Sequence, residues 1–367
     1  MTIPLAVGTG LVALDVVYRG QMQESVRTVT GGTCGNVLSI LRYLGWKAIP
    51  LARLANDRAR EAIQADLSRW GVDTRFLGVE PQRPTPIIVQ RILRDASGNA
   101  LHRFSWTCPY CGAWLPKYVP VNAASADALS KELPAPTVFF FDRPSRGAVK
   151  LTEAYSAQNT LVVFEPSARG DVDAFTPALE NADIVKYSEQ RFATLPRHRA
   201  KDGRLEIQTL GADGLRFRVA RARKLGVWHR LPALHSEHVV DTAGAGDWCT
   251  AGVLNQVGRD GRESFENVTI GEIRAALSYG QALAAWSCRF EGARGGMYEQ
   301  SKRVFAREVD ALLKEAPLGN SVRTKTAFDT AMGGLCPSCP TKTEHLISKG
   351  RRKTSGYLVG ARHLHRR

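Results

Sequence analysis

Five short apolar runs set the limits on what this chain can fold into. Pro4-Leu5-Ala6-Val7-Gly8, Thr137 to Phe141 and Thr160 to Phe164 are apolar at nearly every position, Ala182 to Val185 and Leu205 to Leu210 continue the pattern with polar residues interspersed, and all are too short for helices. Strands buried on both faces read this way. Helical spacing intervenes from Val37 to Leu44 behind Gly31-Gly32, from Ala59 to Trp70, and at about 146–157. Ala245 to Val257, Ile273 to Cys288 and Ser301 to Leu313 add helices toward the end of the pattern. The alternation predicts an α/β fold with a mostly parallel central sheet flanked by helices on both faces. Ile87 to Leu93 and Ala100 to Trp106, joined through Ala96-Ser97-Gly98-Asn99, stand outside it and read as a hairpin.

A chain of 367 residues with 44% hydrophobic and 23% charged residues suits one large α/β domain with additions. No apolar run approaches the ~20 residues of a membrane-spanning helix. Met1 to Ala6 lacks a basic region followed by an apolar stretch, so the expectation is a soluble, cytoplasmic protein with no membrane partner. Of the net charge of +15, +8 lies in the final 48 residues, leaving a body only mildly basic. That body favours an anionic or phosphorylated small molecule without invoking nucleic acid.

The densest chemistry lies in Val239-Val240-Asp241-Thr242-Ala243-Gly244-Ala245-Gly246-Asp247. Its glycines permit a tight turn and close backbone approach. The helix that follows aims unpaired N–H groups and its positive dipole end at the turn, which suits developing phosphoryl charge. A carboxylate at Asp247 can accept the proton of an attacking hydroxyl. The alternative is a glycine-rich strand-to-helix turn with Asp247 as a cap.

Asp-Thr-x-Gly-Ala-Gly-Asp resembles the C-terminal signature of the ribokinase-like (PfkB) sugar and nucleoside kinases, and the resemblance covers about residues 3 to 315. Gly31-Gly32-Thr33-Cys34-Gly35-Asn36 with Leu44-Gly45 is similar to the family's N-terminal segment, and Gly71-Val72-Asp73 to its Gly-Val-Asp. Thr209-Leu210-Gly211-Ala212-Asp213-Gly214 is similar to its nucleotide segment, and Gly292-Ala293 falls where the family closes over adenine. The resemblance implies a kinase domain over residues 1–319, with a small β lid at about 16–30 and 84–120, and a C-terminal extension over 320–367. It implies that Asp15, Gly32 and Asn36 hold substrate hydroxyls. Gly244, Ala245 and Gly246 would form an anion hole, and Asp247 would be the base. Thr209, Gly211, Gly214, Thr242, Gly292 and Ala293 would line the site for ATP, with Mg2+ arriving on the nucleotide.

This sequence departs from the pattern at several points. The family's Asn-x-x-Glu falls at Ser188 and Arg191, with Glu189 offering a nearby carboxylate and Arg191 a phosphate contact. Gly-Asp-Asp appears as Ala55-Asn56-Asp57, Asp-Pro-Asn as Glu165-Pro166-Ser167, and Trp248-Cys249 replaces a small residue and Phe. These mark a divergent branch whose acceptor, sugar or nucleoside, is not fixed by the resemblance.

Gly8-Thr9-Gly10-Leu11-Val12-Ala13 fits a dinucleotide fingerprint, but the required helix is missing because Asp15 to Arg19 reads extended. No Ser sits in a nucleophile-elbow pattern. Cys108-Pro109-Tyr110-Cys111 and Cys336-Pro337-Ser338-Cys339 each have the spacing of half a zinc site, more than two hundred residues apart. A structural Zn2+ joining the tail to the lid side is the leading reading, with thiol redox chemistry or unliganded cysteines as alternatives. Cys34, Cys249 and Cys288 read as small buried residues. The basic clusters Lys349 to Lys353 and Arg362 to Arg367 read as a solvated extension, or as a non-specific nucleic-acid contact. A second function class follows: a catalytically weak kinase fold acting as a zinc-stapled nucleic-acid or protein-binding module. Lid strands that expose an edge also make a homodimer an expectation.

Overall fold

The computed structural model describes residues 2–20, 26–78, 83–96, 100–234, 236, 238–315 and 335–339. The basic clusters beyond residue 340 lie outside the described residues. The strands are β1 Leu5–Thr9, β2 Ala13–Arg19, β3 Arg27–Gly31, β4 Lys47–Leu51, β5 Ile87–Arg94, β6 Ala100–Ser105, β7 Val138–Phe141, β8 Leu161–Phe164, β9 Ile184–Ser188, β10 Leu205–Thr209, β11 Leu215–Arg221, β12 Lys224–Leu225 and β13 His229–Leu231. The main helices are α1 Thr33–Tyr43, α2 Arg58–Arg69, α3 Ala123–Glu132, α4 Arg146–Ser156, α5 Val172–Asn181, α6 Ala245–Val257, α7 Gly261–Glu266 and α8 Ile270–Ser287, followed by α9 Gly295–Glu299 and α10 Lys302–Leu313.

The large sheet runs β12-β11-β10-β9-β8-β7-β1-β4, with β13 also paired to β11. Pairings from β4 through β10 are parallel, and β11 turns antiparallel at the edge. Successive strand residues point to opposite faces, and the two cores obey that rule. Ala6, Val138, Phe140 and Ile184 pack with α1, α2, α6 and α8. Val7, Phe139, Phe141 and Val185 pack with α3, α4 and α5. Phe139, Phe141 and Phe164 stack along that second face. Both faces are covered, which is why β7 and β8 read as unbroken apolar runs.

The hairpin read from the sequence is present as β5 and β6, and β5 pairs in parallel with β2 to give a separate sheet, β3-β2-β5-β6. β1 is followed by strand β2 rather than a helix, so the dinucleotide fingerprint lacks its phosphate-cradling element. Helices α1 and α8 begin three or four residues before their apolar pattern does. Thr269 supplies the reason at α8: its hydroxyl and Glu272 form a capping box. Among the described residues, no helix is long and apolar enough to cross a membrane.

Candidate active site

Several polar groups of the site stand on or just after the parallel strands of the large sheet, or at the mouth of a helix that faces them. Asp142 follows β7, Glu165 follows β8, Lys186 lies on β9, and Thr209 ends β10. Ligands of open α/β sheets bind outside these carboxyl ends. A surface cleft lined by Leu5, Lys47, Asp73 and Pro134 lies at the opposite end of β1 and β4 and is not part of this site.

Gly244 is the N-cap of α6 at φ 76, a backbone region that suits glycine. It also packs against the next loop: a side-chain carbon there would stand 2.5 Å from Ala293 Cβ. The turn therefore delivers Asp247 to the first turn of α6, where it is buried. Asn36, in the first turn of α1, donates from Nδ2 to Asp247 Oδ2 at 2.7 Å. Burial holds the Asp247 carboxyl well above the usual range, and the charge of Glu165 adds to the shift. The Asn36 hydrogen bond and the Lys186 ammonium oppose it.

Lys186 shares the face of Ile184 and so points toward α1 and α6. Its Nζ donates to Glu165 Oε1 at 2.6 Å, and Thr250 Oγ1 donates to Glu165 Oε2 at 2.5 Å. A side-chain carbon on Gly246 would stand 3.5 Å from Lys186 Nζ and 3.7 Å from Glu165 Oε1. The ion pair thus borders the same turn that presents the α6 amides. Burial alone would push the lysine down, but Glu165 outweighs it and holds the ammonium above its ordinary value.

A second group of buried polar side chains is built by β2, β3 and α1. Asp15 is buried on β2 with Oδ1 unpartnered, and Asn36 Oδ1 is likewise buried and unpartnered. Gly31 leaves the room for this carboxylate, because a side-chain carbon there would stand 1.9 Å from Asp15 Oδ2. Gly32 caps α1 at φ 77 with Leu11 O close against it. Leu11, Ala13 and Ile88, joined by Trp106 and Tyr118, form a small apolar wall beside these groups. Asp142 fixes the wall from behind, accepting from Leu11 N at 2.8 Å and from Arg143 at 2.8 Å.

Burial pushes the Asp15 carboxyl up to about 7, with the Arg294 charge opposing. Its folded-state pKa exceeds its unfolded one, so its contribution to stability is present at acid pH and lost as pH rises through about 7. Asp15→Asn is expected to raise stability at about pH 8 by up to about 4 kcal/mol, the whole of that shift, measured by urea unfolding. Acceptor affinity should weaken as pH falls from about 8 to 6 and the charged acceptor oxygen is lost, and the Asn variant should show no such slope. A flat profile in the unmodified chain would contradict the assignment.

The β3-β2-β5-β6 sheet reaches the Gly244–Asp247 turn through Asp241. Gln90 Nε2 of β5 donates to Asp241 Oδ2 at 2.6 Å, and His102 Nδ1 of β6 lies 3.4 Å from Oδ1. The amides of Ala243 and Gly292 donate to the same carboxylate. Burial pushes Asp241 up, yet His102 and these amides outweigh it and hold the carboxyl below its usual range. Thr242 Oγ1 lies 3.3 Å from the same histidine ring. Trp248 Nε1 donates to Ala293 O, so the unusual tryptophan fastens the Gly292-Ala293 loop onto α6.

Thr209, Gly211 and Gly214 lie together around the short turn Gly211–Asp213 at the end of β10. Glu189 and Arg191 are exposed in the turn after β9, and Arg191 donates to Ser167 O. The carboxylate beside Asp247 is Glu165 instead. Sequence reasoning did not single out Glu165, Lys186, Asp142, Gln90 or His102 as site groups. The available signal was a charge set in or directly after an apolar strand run, as at Lys186 and Asp142.

The four cysteines of the two Cys-x-x-Cys pairs converge. Their sulfurs all lie within 4.8 Å of one another, a group able to hold a metal ion. All seven cysteines are free thiols, and Cys34, Cys249 and Cys108 are buried. Cys108 sits in a turn after β6 rather than at a helix N-terminus, the position that lowers a thiol pKa through the helix dipole.

Residues 143–300 match the family described as pfkB family carbohydrate kinase. That stretch of the chain is similar to pfkB family carbohydrate kinases. The matched stretch contains Glu165, Lys186 and the whole Gly244–Asp247 turn. A fructokinase of Vibrio alginolyticus is 22% identical over 312 residues, spanning 80% of this chain and 96% of that protein. An uncharacterized sugar kinase of Pyrococcus horikoshii superposes with a TM-score of 0.61 at 20% identity, covering 84% of this chain and 99% of that one. Aminoimidazole riboside kinase of Salmonella enterica, solved with aminoimidazole riboside and an ATP analog, gives a TM-score of 0.59 at 20% identity, with coverage of 84% and 99%. The likeness in fold thus extends well beyond residues 143–300.

Proposed function

We propose that the protein transfers the γ-phosphoryl group of ATP to a hydroxyl of a sugar, nucleoside or sugar-like small molecule. One observation carries this reading: a buried carboxylate, Asp247, stands at the amide-rich mouth of α6 and accepts a hydrogen bond from Asn36. Asp15 and Asn36 orient the acceptor through their unpartnered buried oxygens. Asp247 takes the hydroxyl proton as the acceptor oxygen bonds to the γ-phosphorus. The bond from that phosphorus to the β–γ bridging oxygen breaks, and its electron pair leaves on ADP. Amides of Gly244, Ala245 and Gly246 stabilise the developing charge.

Magnesium supplies charge neutralisation on the nucleotide phosphates. Lys186 is the resident cation at the turn, and Glu165 keeps it aimed. Thr209, Gly211 and Gly214 line the nucleotide on one side and Gly292-Ala293 on the other, with Glu189 and Arg191 at its phosphate end. The lid strands exclude water, since an open site would hydrolyse ATP. We also assign a structural zinc ion to the four converging cysteines, a closed thiolate set of the kind that takes no part in chemistry.

ADP release with Mg-ATP across a panel of sugars, sugar phosphates and nucleosides tests the proposal. The expected result is release that depends on one acceptor class. Release unaffected by every acceptor would contradict it.

A further inference from the structure

We propose that the zinc site staples residues 335–339 to the root of the lid, and that its filling sets the affinity for the acceptor. The metal site stands on the four thiols alone, and its effect on turnover rests on the kinase reading.

Two tight turns present the thiols. In the first, Cys108 N donates to Ala113 O, Gly112 N donates to Cys108 O, and Gly112 adopts φ 73. In the second, Cys339 N donates to Cys336 O. Cys108 and Cys339 sulfurs lie 3.6 Å apart, and Cys111 and Cys336 sulfurs 3.9 Å apart. Four sulfurs at ~2.3 Å from one zinc ion stand about 3.8 Å from each other, so both spacings match the edge of such a tetrahedron. Cys108 and Cys336 are buried together with Leu115 and Leu335, which shields the inner side of the group.

The first turn is wedged between pieces of the acceptor wall. It begins just after β6, and the bridge between Thr107 and Trp114 closes it. Trp106 O then accepts from Leu115 N at 2.8 Å, and Pro116 O accepts from Ile87 N at the start of β5. Trp106 before the turn and Tyr118 after it are the two aromatic residues packed on Leu11, Ala13 and Ile88. Ala13 is two residues from Asp15 on the same strand. Residues 106–118 hold no helix or strand of their own, so a filled metal site fixes both aromatic residues from one point. The staple closes a chain loop of more than two hundred residues onto the lid, which ordinary turn contacts do not do.

The test uses the full chain, purified without chelator, beside Cys336→Ser and Cys339→Ser, which leave the lid turn intact. The unmodified protein should carry about one zinc per chain by elemental analysis, and the variants less than about a tenth of that. Cobalt added to the apo-protein should give the intense visible bands of a tetrahedral thiolate site. Amide exchange at Cys108, Leu115 and Ile87 should be faster in the variants, a readout independent of turnover. Acceptor KM should rise on the order of tenfold in them, with ATP KM held within about twofold.

No zinc in the unmodified chain and no uptake of zinc or cobalt would overturn the site, as would iron in its place or full zinc in Cys336→Ser. Zinc loss with unchanged amide exchange and acceptor KM would overturn the staple. Failure of the kinase reading would show separately, as absent turnover in a zinc-loaded protein.

Discussion

Asp247→Asn is expected to lower kcat by about 10³-fold or more while leaving ATP affinity within about threefold. Removal of a general base costs roughly 10²–10⁴ in rate, and this base sits at the focus of the helix dipole as well. The substitution keeps the shape of the site, because the amide oxygen can still accept from Asn36 Nδ2, 2.7 Å away in the unmodified chain. Any large loss therefore reports the lost proton acceptor and not a cavity. The raised pKa of Asp247 has a further consequence. Turnover should fall as pH drops through that value, so the acid limb lies above the ordinary carboxylate range. The residual rate of the Asn variant should lack the limb. Rates of both proteins followed from about pH 5 to 9 check the sign.

Lys186→Met should destabilise the fold by about 3–5 kcal/mol, the range for stripping one partner from a buried ion pair. The side chains of Lys186 and Glu165 are 3% and 14% exposed, so little water is available to replace the lost ammonium. Pairing Lys186→Met with Glu165→Gln should recover most of the stability, because the stranded charge is gone. Activity should not recover, since the turn at Gly246 would still lack its cation. The single variant should also move the acid limb of kcat to higher pH. Lys186 favours the charged form of Asp247 and Glu165 disfavours it, so losing the first leaves the second unopposed. Urea unfolding and a pH–rate profile on the three proteins separate these effects. An unchanged limb would show that Lys186 does not act on Asp247.

Much of this architecture is written locally. Runs such as Val138–Phe141 and Leu161–Phe164 are apolar at every position because helices cover both faces, and that pattern needs no partner to be recognised. The turn at Gly244 is equally local, since its glycines and the helix behind it are contiguous. Groups that meet only through the sheet order were harder to read. Glu165 and Lys186 become neighbours because β8 pairs with β9, and both reach Asp247 only because α6 crosses their end of the sheet. Gln90 and His102 reach Asp241 across 151 and 139 residues, through a second sheet whose strand β5 pairs in parallel with β2. The cysteine pairs lie between these extremes. Each pair was legible from its spacing, but their convergence depends on how residues 335–339 lie against the turn after β6.

Isotope transfer follows the phosphoryl group directly from ATP to an alcohol under control of Asp247. ATP labelled in the γ-phosphate would be incubated with the protein and the acceptor panel, and the products separated. The expected result is label in an acid-stable phosphate ester of one acceptor class, absent when Asp247→Asn replaces the unmodified chain. Label found only in ATP and inorganic phosphate, with a folded protein that binds ATP, would contradict it.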